Sequence, residues 1–333
     1  MGTKVLLVGS GGREDAVARE LVKGGASLYS AIKNRNPSII SLSREHIVCD
    51  ETDFTRIHKF AIEQGVELAF IGPDPVLETE LAEKLMSSDI AVASPDRKAA
   101  RIETSKEFMR DLMTRYSIPG NIPSRVFRSS DEMKNFLIKN GKEYAIKPIG
   151  LTGGKGVKVM GDQIRNMEEA VEYGSSIIER DGRVLLEERV MGEEFSLQVF
   201  TDGTHVKPMP VVQDFKRAYE NDTGPNTGGM GSISGPDGLP FIRKTSVEKA
   251  LTIITMIIDA LRKDGSAFKG VLYGQFMDTE NGPVVIEINS RFADPESMNV
   301  LSLIRSNLSD IFHGIAQGNL HMNVEFEKKA TVL

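Results

Sequence analysis

Three polar side chains alternate at the end of the predicted strand 283–290 and directly after it, and they could serve metal and phosphate chemistry. The two-residue period of a strand places Glu287, Asn289 and Arg291 on one face. Carboxylate and amide oxygens suit Mg²⁺, which takes few protein ligands and completes its shell with phosphates and water. Arg291 could stabilise a transferring phosphoryl group, and Gln275 on the preceding strand is a weaker neighbour candidate. A half-exposed strand with an ordinary ion pair would give the same pattern.

A glycine-rich segment, TGGKG at 152–156, joins two further predicted strands, and Lys147 lies in the first of them. Such a hairpin can fold over nucleotide phosphates while lysines supply point charges. It is not a Walker A motif, because no helix follows and the GK[ST] ending is absent. On these residues alone, a flexible hairpin is an equally good interpretation.

The most unusual stretch is QDFKR at 213–217 followed by DTGPNTGGMG at 222–231. Its glycines permit backbone conformations at positive φ. The density of glycine beside Asp214, Lys216 and Arg217 favours a small-molecule site over a plain loop, because loops often carry function.

Near the N-terminus, GSGGRE at 9–14 lies between a predicted strand and a predicted helix, where backbone N–H groups can meet an anion. The motif fails the dinucleotide fingerprint: Glu14 occupies the third glycine position, and the second strand has no acidic residue at its end. A tight structural turn and a phosphate or phosphoribosyl site therefore both stay open, whereas an NAD site is disfavoured.

The predicted secondary-structure elements that must position these residues follow two different patterns along the chain. Up to about residue 95, helices separate short apolar runs, which predicts βαβ units in an open parallel sheet; the predicted strands are 4–9, 27–32, 46–49, 68–72 and 90–94. Beyond a helical connector, strands in quick succession suggest antiparallel pairing. The segments predicted there are strands 125–127, 144–150, 157–160, 184–190, 195–200, 206–212, 271–278 and 283–290, helices 129–140, 247–262 and 301–317, a long loop over 213–240, and a strand beginning at KKATVL.

Composition excludes several classes of function. The 333 residues carry a net charge of −6, so a basic nucleic-acid surface is not expected. Cys49 is the single cysteine and the five histidines are scattered, which excludes an internal disulfide and a cysteine zinc site. No segment has the composition of a signal peptide or a membrane span. The sequence therefore predicts a cytoplasmic protein that binds neither nucleic acid nor membrane.

In this order, the motifs resemble the ATP-grasp ligases and, within them, the phosphoribosylamine–glycine ligase family. The segments that carry the resemblance are VGSGGRE, SPDRKAARIETSK (94–106), KPIGLTGGKGVKV (147–159), EERVMGEEFS (187–196), QDFKRAYENDTGPNTGGMG (213–231), and GVLYGQF with EINSRFADPES (270–297). The resemblance implies an α/β and α+β multidomain chain. Its expected parts are an N-terminal parallel-sheet domain (1–95), a helical connector (96–123), an ATP-grasp lid (124–190), a central catalytic domain (191–320) and the start of a truncated C-terminal domain (321–333).

The resemblance also implies roles for individual residues. Those expected at ATP are Lys106 and Lys147 on the phosphates, Gly153, Gly154, Lys155 and Gly156 in the covering loop, Glu187, Glu188 and Val190 near adenine, and Glu194 at the ribose. Glu287 and Asn289 match the Mg²⁺ (or Mn²⁺) ligands. Those expected near the substrates or the chemistry are Arg291, Asp214, Lys216, Arg217, Asn226, Thr227, Gly228, Gly229, Gly11, Gly12, Glu14, Asp294 and Pro295.

The implied reaction joins glycine to 5-phosphoribosylamine with ATP, through glycyl phosphate. Asp15, Phe215 and Ala293 depart from the residues usual in the family, and the first two could alter substrate contacts. The family continues beyond Leu333, so most of a C-terminal domain is expected to be missing. Two alternatives are a chain that binds ATP but needs a separate C-terminal piece for turnover, and an ATP-grasp ligase for another carboxylate and amine.

Overall fold

The N-terminal part of the chain forms an open sheet of five parallel strands. The computed structural model describes residues 2–152, 156–221 and 223–333, so the predictions for Gly153, Gly154 and Lys155 lie outside the described residues. The strands run in the order β3-β2-β1-β4-β5, and their bounds are Lys4–Val8 (β1), Ser27–Ile32 (β2), Glu45–Val48 (β3), Leu68–Ile71 (β4) and Ala91–Val92 (β5). The predicted parallel sheet is confirmed, and its β1 and β4 are almost wholly buried, as expected with helices on both faces.

The chain order reverses between β1 and β4, which defines a switch point at the carboxyl end of the sheet. In open α/β sheets, ligands bind in the crevice outside such a point. The helices of this part are α1 (Gly12–Lys23), α2 (Pro37–Leu42), α3 (Phe54–Gln64) and α4 (Leu81–Met86), with a 3₁₀ helix at Asp74–Glu78. Asp53 caps α3, since its side chain accepts a hydrogen bond from the Arg56 N–H.

Two consecutive helices lie in the segment 96–123, which is called the connector below. They are α5 (Arg97–Thr104) and α6 (Lys106–Arg115). Ser105 separates them: its extended backbone ends α5, and its side chain accepts from the Phe108 N–H at the start of α6. Ser105 therefore ends one helix and caps the next.

A small antiparallel sheet with two helices follows. Its strands run in the order β6-β9-β7-β8, and the bounds are Ser124–Phe127 (β6), Tyr144–Pro148 (β7), Lys158–Val159 (β8) and Val184–Glu188 (β9), with α7 at Ser130–Asn140 and α8 at Met167–Asp181. Phe127, Met133, Ile146 and Ile177 belong to one buried cluster between the sheet and the helices. This unit, called the lid below (residues 124–190), thus has a core of its own.

The largest sheet is antiparallel and carries the predicted metal strand at one edge. Its order is β17-β16-β10-β12-β15-β18, with β11 also on β10, and the bounds are Glu193–Thr201 (β10), Val206–Pro208 (β11), Val212–Asp214 (β12), Ser232–Ser234 (β15), Gly270–Thr279 (β16), Gly282–Asn289 (β17) and Thr331–Val332 (β18). A separate hairpin pairs β13 (Arg217–Tyr219) with β14 (Thr223–Asn226). The helices are α9 (Lys244–Lys263), α10 (Glu296–Leu301) and α11 (Leu308–Gln317). Among the described residues, no helix has both the length and the apolar character that crossing a membrane requires.

Three sequence predictions in this part are wrong. The predicted strand 206–212 is two strands, because Pro208 and Pro210 lack the N–H groups that a continuous ladder needs. The predicted loop 213–240 contains the end of β12, the β13–β14 hairpin and β15. The predicted helix 301–317 is α10 and α11, with Asn307 capping the second.

Candidate active site

The glycine-rich turn after β1 encloses a buried carboxylate at the switch point. Glu14 is 2% exposed and accepts a hydrogen bond of 2.8 Å from the Gly11 N–H. A Cβ on Gly9, whose φ is +122°, would lie 2.6 Å from the Glu14 Cγ, so this position needs glycine. Beyond the turn, a Cβ on Gly12 would meet the Met298 sulfur of α10 at 3.3 Å. The turn is therefore packed around Glu14 and against the central part of the chain.

A row of ion pairs links this turn to Arg291. Arg13 donates to the Glu14 carboxylate at 2.6 Å and lies 3.6 Å from Asp74, which begins the 3₁₀ helix after β4. Asp74 in turn pairs with Arg291 at 2.7 Å, and Glu103 lies 3.1 Å from the same guanidinium. Sequence reasoning found Arg291 and missed Arg13, Asp74 and Glu103. Arg13 and Glu103 lie within the segments GSGGRE and SPDRKAARIETSK, but nothing in either segment shows which distant side chain they face.

Glu287 and Asn289 lie together on β17, as the strand alternation predicts. The Asn289 Nδ2 group is 3.3 Å from the Glu287 Oε1 atom. Burial alone would raise the pKa of Glu287, but Lys216, Lys147 and Lys106 outweigh it and hold the pKa below its ordinary value. Glu287 is therefore a carboxylate at neutral pH, as a metal ligand must be.

The donor set of this pair fits a magnesium ion. One carboxylate and one amide supply hard oxygen ligands, and Mg²⁺ usually leaves the remaining positions to phosphates and water. Within the described residues, no group of three or more His, Cys, Asp or Glu side chains could hold a metal by itself. A cation at Glu287 and Asn289 would thus need a phosphate-bearing substrate beside it.

Two lysines reach this strand from the connector and the lid. Lys147 on β7 donates to the Ile286 carbonyl at 3.3 Å, directly before Glu287. Lys106 at the start of α6 donates to the Gly150 carbonyl at 2.9 Å, and burial lowers its pKa. A cavity of about 580 Å³ opens beside this point; its lining residues are Thr104, Ser105, Pro148, Ile149, Gly150, Leu151, Thr152, Gly156, Arg180, Asp181 and Arg183. Positive charge from two elements therefore lies close to Gly150 and Thr152, the described residues that precede the glycine-rich segment.

Glu187 holds Lys147 in place and is itself held by Arg110. Its carboxylate lies 2.6 Å from the Lys147 Nζ atom and accepts bonds of 2.7 and 3.0 Å from Arg110. Arg110, on α6, also donates to the Val285 and Ile286 carbonyls of β17. Burial would raise the pKa of Glu187, but Arg110 and Lys147 bring it to about 2. The buried carboxylate of Glu187 therefore faces two cations, Arg110 and Lys147. Sequence reasoning missed Arg110.

The other predicted ATP residues lie along β9 and β10. Glu188 pairs with Lys142 at 2.6 Å, and half-buried Val190 follows the end of β9. Glu194 on β10 accepts a hydrogen bond of 2.8 Å from the Gln275 amide. Their roles toward a nucleotide stay predictions.

Lys216 lies between acidic groups from three strands. Its Nζ atom donates to the Gln275 Oε1 atom at 2.7 Å and lies 3.5 Å from Asp214. Burial would lower its pKa, but Asp214, Glu287 and Glu194 raise it, so Lys216 is cationic. Gln275 also faces Glu287 across the β16–β17 pair. Gln275, which the sequence indicated only weakly, therefore lies at the centre of this group.

The segment from Lys216 to Thr227 is held by hydrogen bonds between its two ends and by an ion pair with the lid. Thr227 donates from both its N–H and its hydroxyl to the Lys216 carbonyl, at 2.7 and 2.9 Å. Arg217 pairs in register with Asn226, and its guanidinium contacts Asp162 of the lid. This segment therefore joins the central sheet to the lid.

The two glycines that follow Thr227 approach the turn before α10. Gly229 has a φ of +122°, and a Cβ there would lie 2.9 Å from the Pro295 Cδ atom. A Cβ on Gly228 would meet no atom within 4 Å, so this position faces open space. Asp294 beside Pro295 is exposed. These predicted substrate residues thus pack closely at Gly229 and Pro295, beside an open position at Gly228.

A buried acid beside these residues escaped the sequence reasoning. Glu296 begins α10, is 2% exposed and forms a hydrogen bond with Tyr273. Burial and the neighbouring Asp214 raise its pKa to about 7, against the opposing effect of Lys216. The sequence signal for it is the ADPES segment (293–297), which also carries Asp294 and Pro295.

Comparison with known proteins identifies the family. Sequence models of phosphoribosylglycinamide synthetase match residues 3–103 (N domain) and 104–297 (ATP-grasp domain). The phosphoribosylamine–glycine ligase of Thermococcus gammatolerans is 50% identical over 331 residues, which are 99% of this chain and 75% of that protein.

Solved structures give the same result. The crystal structure of phosphoribosylamine–glycine ligase from Thermotoga maritima matches with a TM-score of 0.82 and 25% identity, covering 99% of this chain and 79% of that one. The biotin carboxylase domain of a Hydrogenobacter thermophilus 2-oxoglutarate carboxylase, solved with MgADP and bicarbonate, shares the fold with a TM-score of 0.77 at 18% identity, over all of this chain and 74% of that one. The chain therefore belongs to the phosphoribosylamine–glycine ligase family and is an ATP-dependent carbon–nitrogen ligase of purine biosynthesis.

Proposed function

We propose that this chain joins glycine to 5-phosphoribosylamine with ATP, through glycyl phosphate, giving glycinamide ribonucleotide, ADP and phosphate. The observation that carries the proposal is the meeting at Glu287 of Lys147 from the lid, Lys106 from the connector and Lys216 from the central sheet. A site where a carboxylate–amide pair lies among three cations suits a magnesium nucleotide.

The phosphate end of the site would work by charge and position. Glu287 and Asn289 would hold Mg²⁺ (or Mn²⁺), which offsets charge on the phosphate oxygens when bound. Lys147 and Lys106 would bind ATP phosphates, and Arg291 would stabilise the γ-phosphoryl group as a glycine carboxylate oxygen attacks it. A carboxylate is a poor acyl donor, so this phosphorylation is the step that makes it reactive.

The second step would take place at the loop side of the site. The ribosylamine nitrogen attacks the carbonyl carbon of glycyl phosphate, phosphate leaves, and the nitrogen loses a proton. Asp214, 3.5 Å from the Lys216 ammonium, would anchor the glycine ammonium or accept that proton. The Gly11–Glu14 turn and the 226–229 segment would bind the two substrates, which holds them in register for attack.

The test measures ADP release as a function of glycine and phosphoribosylamine. The wild-type chain should release ADP only when glycine is present, and form glycinamide ribonucleotide when both are present. Glu287→Ala should lower this rate roughly 100-fold or more, since a metal at phosphate is worth several kcal/mol. Glu280→Ala, on the exposed turn of the same hairpin, is the matched control and should keep wild-type activity. Near-normal turnover of Glu287→Ala would refute the metal role.

The same assay separates the alternatives. A different carboxylate that supports faster ADP release than glycine would indicate another ATP-grasp ligase. Binding of ATP without turnover, restored by a separately supplied C-terminal piece, would indicate that this chain is one part of an assembly. The cytoplasmic location stays a prediction from the sequence.

A further inference from the structure

We infer that Asp74 and Glu103 are positioning residues that fix the guanidinium of Arg291 and thereby tie phosphoryl transfer to the N-terminal sheet. The inference rests on the proposed role of Arg291 at the γ-phosphate. Asp74 comes from the 3₁₀ helix after β4, Glu103 from α5 and Arg291 from the residues after β17. Three separate parts of the fold therefore meet at one side chain.

The guanidinium is held on several sides. Its Nε atom donates to the Asp74 Oδ1 atom at 2.7 Å, its Nη2 atom to the Asp74 Oδ2 atom at 3.2 Å, and its Nη1 atom to the Phe292 carbonyl at 3.2 Å. Such two-pronged pairing with a carboxylate fixes the plane of the guanidinium as well as its place. These bonds use three of its five N–H groups. Of the other two, one is on Nη2, which lies 3.1 Å from Glu103, and one is on Nη1, which has no hydrogen-bond partner among the described residues other than the Phe292 carbonyl.

Glu103 fixes the backbone that carries Arg291. It is 5% exposed, and one of its oxygens accepts bonds from the Ser290 N–H at 2.7 Å and the Ser290 hydroxyl at 2.8 Å. Its other oxygen lies 3.1 Å from the Arg291 Nη2 atom. One carboxylate therefore holds both the main chain before Arg291 and the end of its side chain.

Arg13 extends the contact back to the glycine-rich turn. It lies 3.6 Å from Asp74, donates to Glu14 at 2.6 Å and donates to the Phe292 carbonyl at 3.2 Å. Acidic and basic side chains therefore alternate along one row, in the order Glu14, Arg13, Asp74, Arg291 and Glu103. A shift of the turn on substrate binding would reach the arginine through this row.

The first experiment replaces Asp74 by asparagine in the full chain and measures kcat and KM for ATP and glycine. Asparagine keeps the shape and removes the charge, so Arg291 loses one anchor. A misplacement on the order of 1 Å costs roughly 100-fold, so we expect kcat to fall by roughly 10- to 100-fold while both KM values stay within about threefold. Glu78→Gln, exposed on the same 3₁₀ helix, removes the same charge and should change neither. A kcat for Asp74→Asn within about twofold of wild type would overturn the inference.

The second experiment tests whether Asp74 acts through Arg291. In an Arg291→Lys background, Asp74→Asn should cause little further loss, because lysine cannot make the two-pronged pair. Fully additive losses would overturn the inference. Glu103→Gln provides an independent variant with the same expectation, and thermal unfolding of each variant confirms that assays use folded protein. A wild-type chain without glycine-dependent ADP release would refute the proposed function instead, so the two failures are distinguishable.

Discussion

Replacing Glu187 by glutamine should destabilise the protein strongly, because it leaves two buried cations without their carboxylate. Glu187 is 1% exposed and bonds both Arg110 and Lys147. Burial raises its pKa, yet the two cations bring the pKa from 4.5 to about 2. That difference corresponds to about 3 kcal/mol at 1.36 kcal/mol per pKa unit. Breaking a buried ion pair by removing one partner typically costs about 3–5 kcal/mol, which is the same size.

The assay is urea unfolding followed by circular dichroism, with hydrogen exchange on the β7 and β9 amides to report on the lid. The folded-state pKa of Glu187 is lowered, so its contribution is fully present above pH 4.5 and is lost as pH falls from there through about 2. The free energy of unfolding of the wild type should therefore fall by about 3 kcal/mol over this pH range. Glu187→Gln has already lost this contribution at neutral pH.

Glu188→Gln is the matched control, one residue along the same strand. Glu188 also has an ion pair of 2.6 Å, with Lys142, but the two side chains are 33% and 57% exposed. Exposed pairs are worth about 0–1 kcal/mol, so this variant should differ little from wild type. The reasoning is refuted if the two variants lose equal stability, or if Glu187→Gln loses less than about 1 kcal/mol.

Further predictions concern the loop, the buried acid and the metal. Gly229→Ala should reduce glycine-dependent ADP release, because its φ of +122° disfavours alanine and the new Cβ would lie 2.9 Å from Pro295; unchanged kinetics would contradict this. Glu296 has a raised folded-state pKa of about 7, so its favourable contribution is present below about 4.5 and is lost as pH rises through 7. In urea unfolding, the free energy of unfolding of Glu296→Gln relative to wild type should therefore be higher at pH 8 than at pH 5. Parallel pH profiles of the two proteins would be inconsistent with the burial argument. Chelation of divalent cations should stop ADP release and added Mg²⁺ should restore it, whereas activity in excess chelator would exclude the metal role of Glu287 and Asn289.

Elements with strong local patterns were predictable from the sequence. The apolar run of β1 and the alternation of β17 predicted a buried parallel strand and a polar strand face, and both are present. The predictions failed where neighbours decide the outcome. The segment 213–240 contains too many turn residues to suggest strands. β15 nevertheless forms there, because β12 and the distant β18 supply partners on its two sides.

The site was predictable only where its residues lie in motifs. Glu287 and Asn289 lie in the segment EINSRFADPES, and Lys147 lies in KPIGLTGGKGVKV, so a short stretch of sequence was enough to single out each residue. Arg110 and Glu103 lie on helices among other charged residues, where a sequence cannot distinguish a solvated side chain from one buried against a distant strand. Their partners are separated from them by 77 and 187 residues, so only the fold brings them together.

The ion pairs of Arg291 have a consequence for recombining relatives. The two family modules meet between residues 103 and 104, whereas Arg291 in the second module takes both of its carboxylate partners from the first. A chimera made at that border would inherit the arginine from one parent and its counterions from the other. Functional exchange should therefore depend on whether the donor of the first module brings acids that fill the places of Asp74 and Glu103, more than on overall sequence identity.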